Sequence, residues 1–264
     1  MDNAHETVVR APAADLFDLI ADVVHAPQLF PTHLHAEVVG EPHGAEDLIE
    51  RWVIDGESVR GWRAHRTLDR DALRIVFQHE KAKPPLTLMR GEWLFRQDGE
   101  TTTVRCTHTL DAPADAAAAV EQFLAGLDRV VPRQLSHLKM LGESLPQLRA
   151  STFGVELTGL VDLAVSDVYE KAVAGETSDD GSWRRVCLPA EKIVYKKVAG
   201  LGSPVQSLTG ELRFESVASG ARVVARRTVT LEPQAGPSVR EVVAEQLAEE
   251  TRGQLVALGA TVTD

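Results

Sequence analysis

Apolar and polar residues alternate along HETVVRA near the start of the chain, which is the period of a half-buried strand. The period then changes, because ADLFDLIADV sets Leu16, Leu19, Ile20 and Val23 at helical spacings. Ala26-Pro27 predicts the end of that helix, since proline disfavours helical geometry in the residue before it, and QLFPTH reads as a second short helix. Six antiparallel strands follow: LHAEVVGE, DLIERWVID, SVRGWRAHRTLD, ALRIVFQHEK, LTLMRGEWLFRQ and TTTVRCTHTLDA. Gly- and Asp-containing turns separate them, DGE being used twice. A long helix is predicted from about Asp115 to Leu141, with Val120, Phe123, Leu124, Leu127 and Val131 on one stripe. A curved antiparallel sheet wrapped around a long helix leaves room between them for a small molecule.

The second half repeats the pattern. GEWLF (91–95) is echoed by GELRF (210–214), and the flanks come with it. Thr107, Thr109, Leu110 and Asp111 match Thr228, Thr230, Leu231 and Glu232, while upstream Trp62 answers to Trp183 and Arg66 to Arg185. The offset stays near 120 residues over roughly 80 positions, far too long a period for a solenoid. The chain is a duplication, read as domains at 1–145 and 151–264. The second copy has a shorter beginning. STFGVELTG supplies its first strand, but only about 31 residues separate that start from Trp183, against about 58 in the first copy, so roughly 27 are missing. LVDLAVSDVYEKAV in the gap fits alternation or a helix, with a strand over Val161–Glu170 the favoured reading. An open or shallow second cavity is expected, its sheet and helix serving as lid or brace for the first.

Composition adds limits. A chain of 264 residues with 44% hydrophobic and 25% charged content is that of a globular protein. No apolar run approaches the ~20 residues of a membrane helix, and MDNAHETVVR lacks a signal-peptide stretch, so a cytoplasmic protein without membrane association is expected. Cys106 and Cys187 lie on strands of different copies without CxxC spacing, which reads as two free thiols. A net charge of −11 without a Lys/Arg stripe argues against nucleic acid as a partner. No histidine spacing fits a metal site, and no cofactor motif is present.

The strings WRAHRTLDRDALRIVFQHEKAKPPLTLMRGEW, APQLFPTHLHAEV and WRRVCLPAEKIVYKKV resemble the didomain aromatase/cyclases of bacterial type II aromatic polyketide synthesis, over nearly the whole chain apart from the deletion. The resemblance implies an α+β fold of two tandem helix-grip domains, related to START and Bet v 1-like proteins, with a shortened second domain. It also implies an acyl carrier protein bearing a poly-β-ketone as partner, alongside other polyketide synthase components. Such a chain folds so that one carbon attacks a ketone, and it loses water to form an aromatic ring. Aldol closure needs a base for the proton between two carbonyls and a donor for the developing oxyanion; dehydration needs an acid.

On the strand 58–67, alternation puts Trp62, Ala64 and Arg66 on one face, and the family pattern points that face inward. The resemblance then makes Arg66 the cationic donor and Trp62 a wall for a flat polyketide; a solvated arginine and plain core are the ordinary alternatives. Arg66→Ala is expected to abolish cyclization and leave the fold intact. His108 and His35 are the other catalytic candidates, a histidine near its ordinary pKa serving as acid or base, with an unremarkable buried histidine the competing reading. Glu80, Met89, Trp93 and Val131 join Trp62 and Ala64 as pocket candidates, and Trp183, Arg185 and Tyr195 are the second-domain candidates. Departures from the family pattern include Ala64 in place of serine, Val130-Val131-Pro132 near a polar pair on the long helix, and Ala26 in place of tryptophan. They leave open another substrate, an atypical ring or binding without catalysis, and the rival class is a non-catalytic helix-grip carrier of an apolar polyketide-like ligand. Lys81, Lys83, Arg90, Lys196 and Lys197 are candidate cations for docking an acidic carrier protein. The sequence leaves the oligomeric state open.

Overall fold

The computed structural model of the chain describes residues 1–175 and 181–263. The first half runs β1 (Asp2–Val9), α1 (Ala13–Ala21), α2 (Ala26–Leu29), β2 (His33–Val38), β3 (Glu46–Asp55), β4 (Ser58–Asp69), β5 (Arg74–His79), β6 (Leu88–Asp98), β7 (Thr101–Asp111) and α3 (Ala117–Glu143). After α4 (Leu145–Ser151) come β8 (Thr152–Val161), α5 (Val165–Gly175), β9 (Trp183–Leu188), β10 (Lys192–Lys197), β11 (Val205–Val217), β12 (Gly220–Leu231), α6 (Pro237–Ala257) and β13 (Thr261–Thr263). The chain divides into two compact units: Met1–Ala26 with Ala36–Trp52 and Arg60–Leu145, and Pro27–His35 with Val53–Val59 and Pro146–Asp264. No helix among the described residues is long and apolar enough to cross a membrane.

The first unit is built on a sheet in the order β1-β7-β6-β5-β4-β3-β2, so its first strand pairs with its last. Asp2 stands opposite Thr109 and Val9 opposite Thr102. Helix α3 packs on β1 and β7 through a stripe in which Val120, Val131, Leu135, Leu138 and Leu141 are buried. Each such side chain contributes about 1.5–3 kcal/mol by leaving water. Near its end the helix approaches α1 closely, for a Cβ on Gly142 would meet Leu16 Cδ2 at 2.5 Å. Helix α1 buries Leu16, Phe17 and Leu19, and the Phe17 ring meets Phe95 edge-on at 6.0 Å. The predicted boundary at Ala26-Pro27 is displaced: α1 ends at Ala21, and Pro27 sits in the first turn of α2. A proline costs little there, because its missing N–H would have had no partner within the helix.

The second unit has the sheet order β13-β8-β12-β11-β10-β9, with α6 across β8 and β12. Ile193, Leu212, Val223, Ala225 and Leu255 form its core. Among the described residues this sheet has no counterparts of β2 and β3, in keeping with the shortfall in sequence length. The strand expected over Val161–Glu170 is corrected: β8 ends at Val161 and α5 begins at Val165. Val168 and Ala172 are buried, with Val165, Tyr169 and Val173 packed on the same core, and only a helix brings residues three and four apart onto one face.

Strand β10 is buried on both faces. Ile193 and Tyr195 face the core. On the opposite face the Lys196 ammonium donates to the carbonyls of Pro27 (2.7 Å), Phe30 (2.8 Å) and His33 (3.0 Å). Gln28 donates to the Thr209 hydroxyl and to the Thr228 carbonyl. Burial lowers the Lys196 pKa to about 7. Lys196 is therefore no docking cation, as the sequence had it; Lys81, Lys83 and Arg90 are exposed.

Candidate functional site

The inward face of the first sheet is defined by its ladders. Arg66 pairs with Phe77, Phe77 with Gly91, Gly91 with His108, and His108 with Asn3. One row therefore runs across the sheet, and the neighbouring row holds Ala64, opposite His79. The missing side chain at Gly91 shapes the site, since a Cβ there would lie 2.3 Å from Phe77 Cζ. The Phe77 ring thus crosses β6 and meets the His108 ring edge-on at 5.7 Å. Trp62 stacks on His79 at 5.6 Å and 18°. Trp62, Phe77, His79 and Met89 keep some solvent access although they face inward, as do Phe123, Leu124 and Leu127 of α3. Accessible space therefore lies over an aromatic and imidazole floor.

Arg66 is buried and committed. Its Nε and Nη2 donate to the two Asp47 carboxylate oxygens at 2.9 and 2.6 Å, and its Nη1 donates to the Ala21 and Ile20 carbonyls at 3.0 and 3.4 Å. Those carbonyls end α1 and lack partners within the helix. The guanidinium thus ties β3, β4 and the helix end together. In the second unit Arg185 stands opposite Tyr195, as Arg66 stands opposite Phe77, and donates to the Val173 carbonyl of α5 at 3.1 Å. The duplicated arginine is a helix anchor in both units.

The titrating groups of the floor are held neutral. Burial, with charge on His79 and His5 adding to it, lowers the His108 pKa to about 4. Burial and the nearby Arg51 charge lower that of His79 to about 4 as well. Cys106, whose Sγ lies 4.0 Å from His108 Nδ1, is pushed up to about 12 by burial. At the far edge His5 Nε2 is 3.1 Å from the Asp128 carboxylate of α3, which also accepts from the Asn3 amide. No group of three or more His, Cys, Asp or Glu among the described residues is arranged to hold a metal.

The predicted residues thus separate. Trp62, Ala64, Arg66, Met89, Trp93 and His108 share the inward face, and Val131 is buried on α3. Glu80 does not: it is exposed, one residue beyond inward-facing His79, and its charge acts on Arg63 of the outer face. His35 is placed apart too. Its neighbours Ala36 and Val38 pack with Ala64 and Trp62, so alternation turns His35 to the other face of β2. Sequence reasoning missed Asp47, Arg51 and His79. The available signal was DLIERWVID, where alternation sets Asp47 and Arg51 on the face of apolar Ile49.

The ladders also correct the residue matching between copies. Gly210 pairs with Arg227 as Gly91 pairs with His108, so Arg227 takes the place of His108, and Thr228 that of Thr109. Trp183 pairs with Lys197, which puts it in the place of Ala64 rather than Trp62. Large side chains line this second interior as well. Trp183 meets Tyr195 edge-on at 5.5 Å, the Arg227 guanidinium lies 5.9 Å from the Tyr195 ring centroid, and the Tyr195 hydroxyl donates to Gln254 of α6 at 3.0 Å.

Residues 9–139 match the family described as polyketide cyclase/dehydrase and lipid transport. The chain is 29% identical to the actinorhodin polyketide synthase bifunctional cyclase/dehydratase of Streptomyces coelicolor, over 87% of this chain and 83% of the relative. It is 28% identical to the granaticin polyketide synthase bifunctional cyclase/dehydratase of Streptomyces violaceoruber, over 87% and 81%. Among solved structures, the di-domain ARO/CYC BexL from the BE-7585A biosynthetic pathway is similar with a TM-score of 0.79 at 25% identity, covering 98% of this chain and 97% of that one. The di-domain ARO/CYC StfQ from the steffimycin pathway gives 0.78 at 25%, covering 97% and 96%.

Proposed function

We propose that this chain is a member of the polyketide cyclase/dehydrase family that residues 9–139 match, an aromatase/cyclase like its bifunctional cyclase/dehydratase and di-domain ARO/CYC relatives, whose first unit folds a poly-β-ketone, closes a ring by aldol addition and removes water. One observation carries the reading. The solvent-reached inward face of the first sheet combines flat walls, Trp62 and Phe77, with two imidazoles held neutral at physiological pH. The carbon between two carbonyls is already acidic, so holding the chain in one fold and excluding water supply much of the acceleration. A neutral imidazole accepts the proton and, once charged, returns it to the departing hydroxyl. His108, beside the Phe77 wall, carries the proton of the dehydration step, and Arg66 acts as a positioning residue by fixing the α1 end against β3 and β4. In the second unit, Trp183, Arg185 and Tyr195 line the interior. An acyl carrier protein delivers the chain, and exposed Lys81, Lys83 and Arg90 are the cations available to meet it.

Product analysis of a reconstituted minimal synthase, with and without the intact chain, tests this. An aromatic product formed over many turnovers and diminished in His108→Phe is expected. An unchanged spontaneous mixture, with ligand retained one to one, means that the chain is a carrier.

A further inference from the structure

A growing enolate needs a cation that is not already neutralised, and Arg66 is not one. The ion pairs Asp47–Arg66 and Glu50–Arg63 join β3 to β4, and this register sets Arg51 opposite Trp62. Asp47 and Ile49 share that face with Arg51: Asp47 holds Arg66, and Ile49 packs with Ala64. Arg51 Nε is buried without a hydrogen-bond partner, and no carboxylate among the described residues pairs with this guanidinium. Its charge is felt by His79, which lies flat on Trp62. The charged and titratable groups around the pair are Arg66 and Asp47 on β4 and β3, His108 on β7 and His5 on β1.

The duplication supplies an internal comparison. The arginine that anchors a helix end is present in both units, whereas the second sheet has, among the described residues, no counterpart of the strand that carries Arg51. There Trp183 meets Tyr195 edge-on, and Lys197 takes the place of His79. Among the described residues, a buried guanidinium nitrogen without a partner recurs in the second unit at Arg184, but that side chain donates to the Gly181 and Trp183 carbonyls, and no imidazole faces it there, Lys197 standing in the place of His79.

Resting on the aromatase reading, we propose that Arg51 is the group that receives the enolate oxygen of a β-dicarbonyl segment and that His79 is the base facing it. The His79 nitrogen takes the proton from the carbon between two carbonyls, and the C–H electron pair moves to a carbonyl oxygen held by the guanidinium. That carbon then bonds to a distal ketone carbon, whose oxygen takes the proton from the imidazolium. Loss of that hydroxyl with a neighbouring hydrogen, as one water, completes the balance.

The test uses the intact chain and benzoylacetone, whose enolate absorbs apart from its neutral form. Parent protein is expected to bind it as enolate at neutral pH. Arg51→Met is expected to abolish the enolate signal and to lower ring closure by about 10²–10³-fold, the loss typical of removing one oxyanion donor. It should do so with an unchanged or raised thermal midpoint, because it removes a buried charge that has no partner. A merely structural arginine would instead lower the midpoint. His79→Gln is expected to bind preformed enolate yet lose ring closure. The inference is overturned if Arg51→Met ionises benzoylacetone as the parent does, or if the parent does not ionise it. If the parent ionises benzoylacetone but leaves synthase products unchanged, the anion site stands and the aromatase reading falls. If Arg51→Met cyclises as fast as the parent, the reading stands and this inference falls.

Discussion

Arg66→Met should unfold the first unit more readily than it impairs chemistry in the molecules that stay folded. The side chains of Arg66 and Asp47 are 4% and 6% exposed. Losing the guanidinium therefore strands a carboxylate in the interior and leaves the Ile20 and Ala21 carbonyls without their donor. Breaking one side of a buried pair costs about 3–5 kcal/mol. At about 2–4 °C per kcal/mol for a chain of this size, the unfolding midpoint falls by about 6–20 °C. Asp47→Leu should cost a similar amount, for it strands the cation. The double variant should recover most of either loss, keeping a deficit of about 1 kcal/mol for the uncapped helix. Urea unfolding followed by circular dichroism on the parent, both single variants and the double gives the coupling energy directly. A stability for Arg66→Met within about 1 kcal/mol of the parent, or additive single effects, would refute the anchoring argument. It would also restore Arg66 as a free cation.

Acid should weaken the fold in a defined window. The unfolded chain takes up protons at His79 and His108 below about 6.5, whereas the folded chain resists until about 4. Stability thus falls as pH drops through that window, by up to about 1.4 kcal/mol per pH unit for each group, and His108→Phe should remove about half of the slope. Lys196 acts at higher pH: its folded pKa of about 7 lies below the ordinary 10.5. Stability therefore rises with pH between those values, and Lys196→Met should abolish the rise in a titration of unfolding midpoints. Ala64→Trp copies into the first unit the residue that stands at the matching place in the second, and product analysis should show at least about a tenfold loss of ring closure with the unit still folded. Gly91→Ala places a Cβ 2.6 Å from the Thr107 carbonyl oxygen, a backbone atom that cannot swing away. It should cost about 1–3 kcal/mol in urea unfolding, where Gly126→Ala on the open face of α3 should cost nothing.

The sequence was most legible where a local period decides the outcome. The six-strand run and the long helix were readable because alternation and a helical stripe each persist over a whole element, as along TTTVRCTHTLD, where Val104, Cys106, His108 and Leu110 are all buried. It misled where a match by letters competed with a ladder. Thr107 and Thr228 look alike in THTLD and TVTLE, but the pairing partners of Gly91 and Gly210 set the copies two residues apart there. A two-residue slip preserves facing, so nothing in the apolar pattern exposes it. Only the turns do, Asp98 pairing with Thr101 as Val217 pairs with Gly220.

The roles of the charged residues were the least legible, because type and facing do not reveal who neutralises whom. Arg66 and Arg51 lie on the same face of adjacent strands, and either reads as a candidate cation. What separates them is Asp47, four residues from Arg51 on the same strand, which reaches Arg66 and not Arg51. The duplication points to Arg66 rather than to Arg51. It repeats the arginine that holds a helix and, among the described residues, has no counterpart of the strand that carries Arg51, so recurrence between copies marks what the fold needs twice. On the proposal above, the chemistry sits where the copies differ: the described strands of the second sheet include no counterpart of β3, which carries Asp47 and Arg51, and Trp183 stands in the place of Ala64.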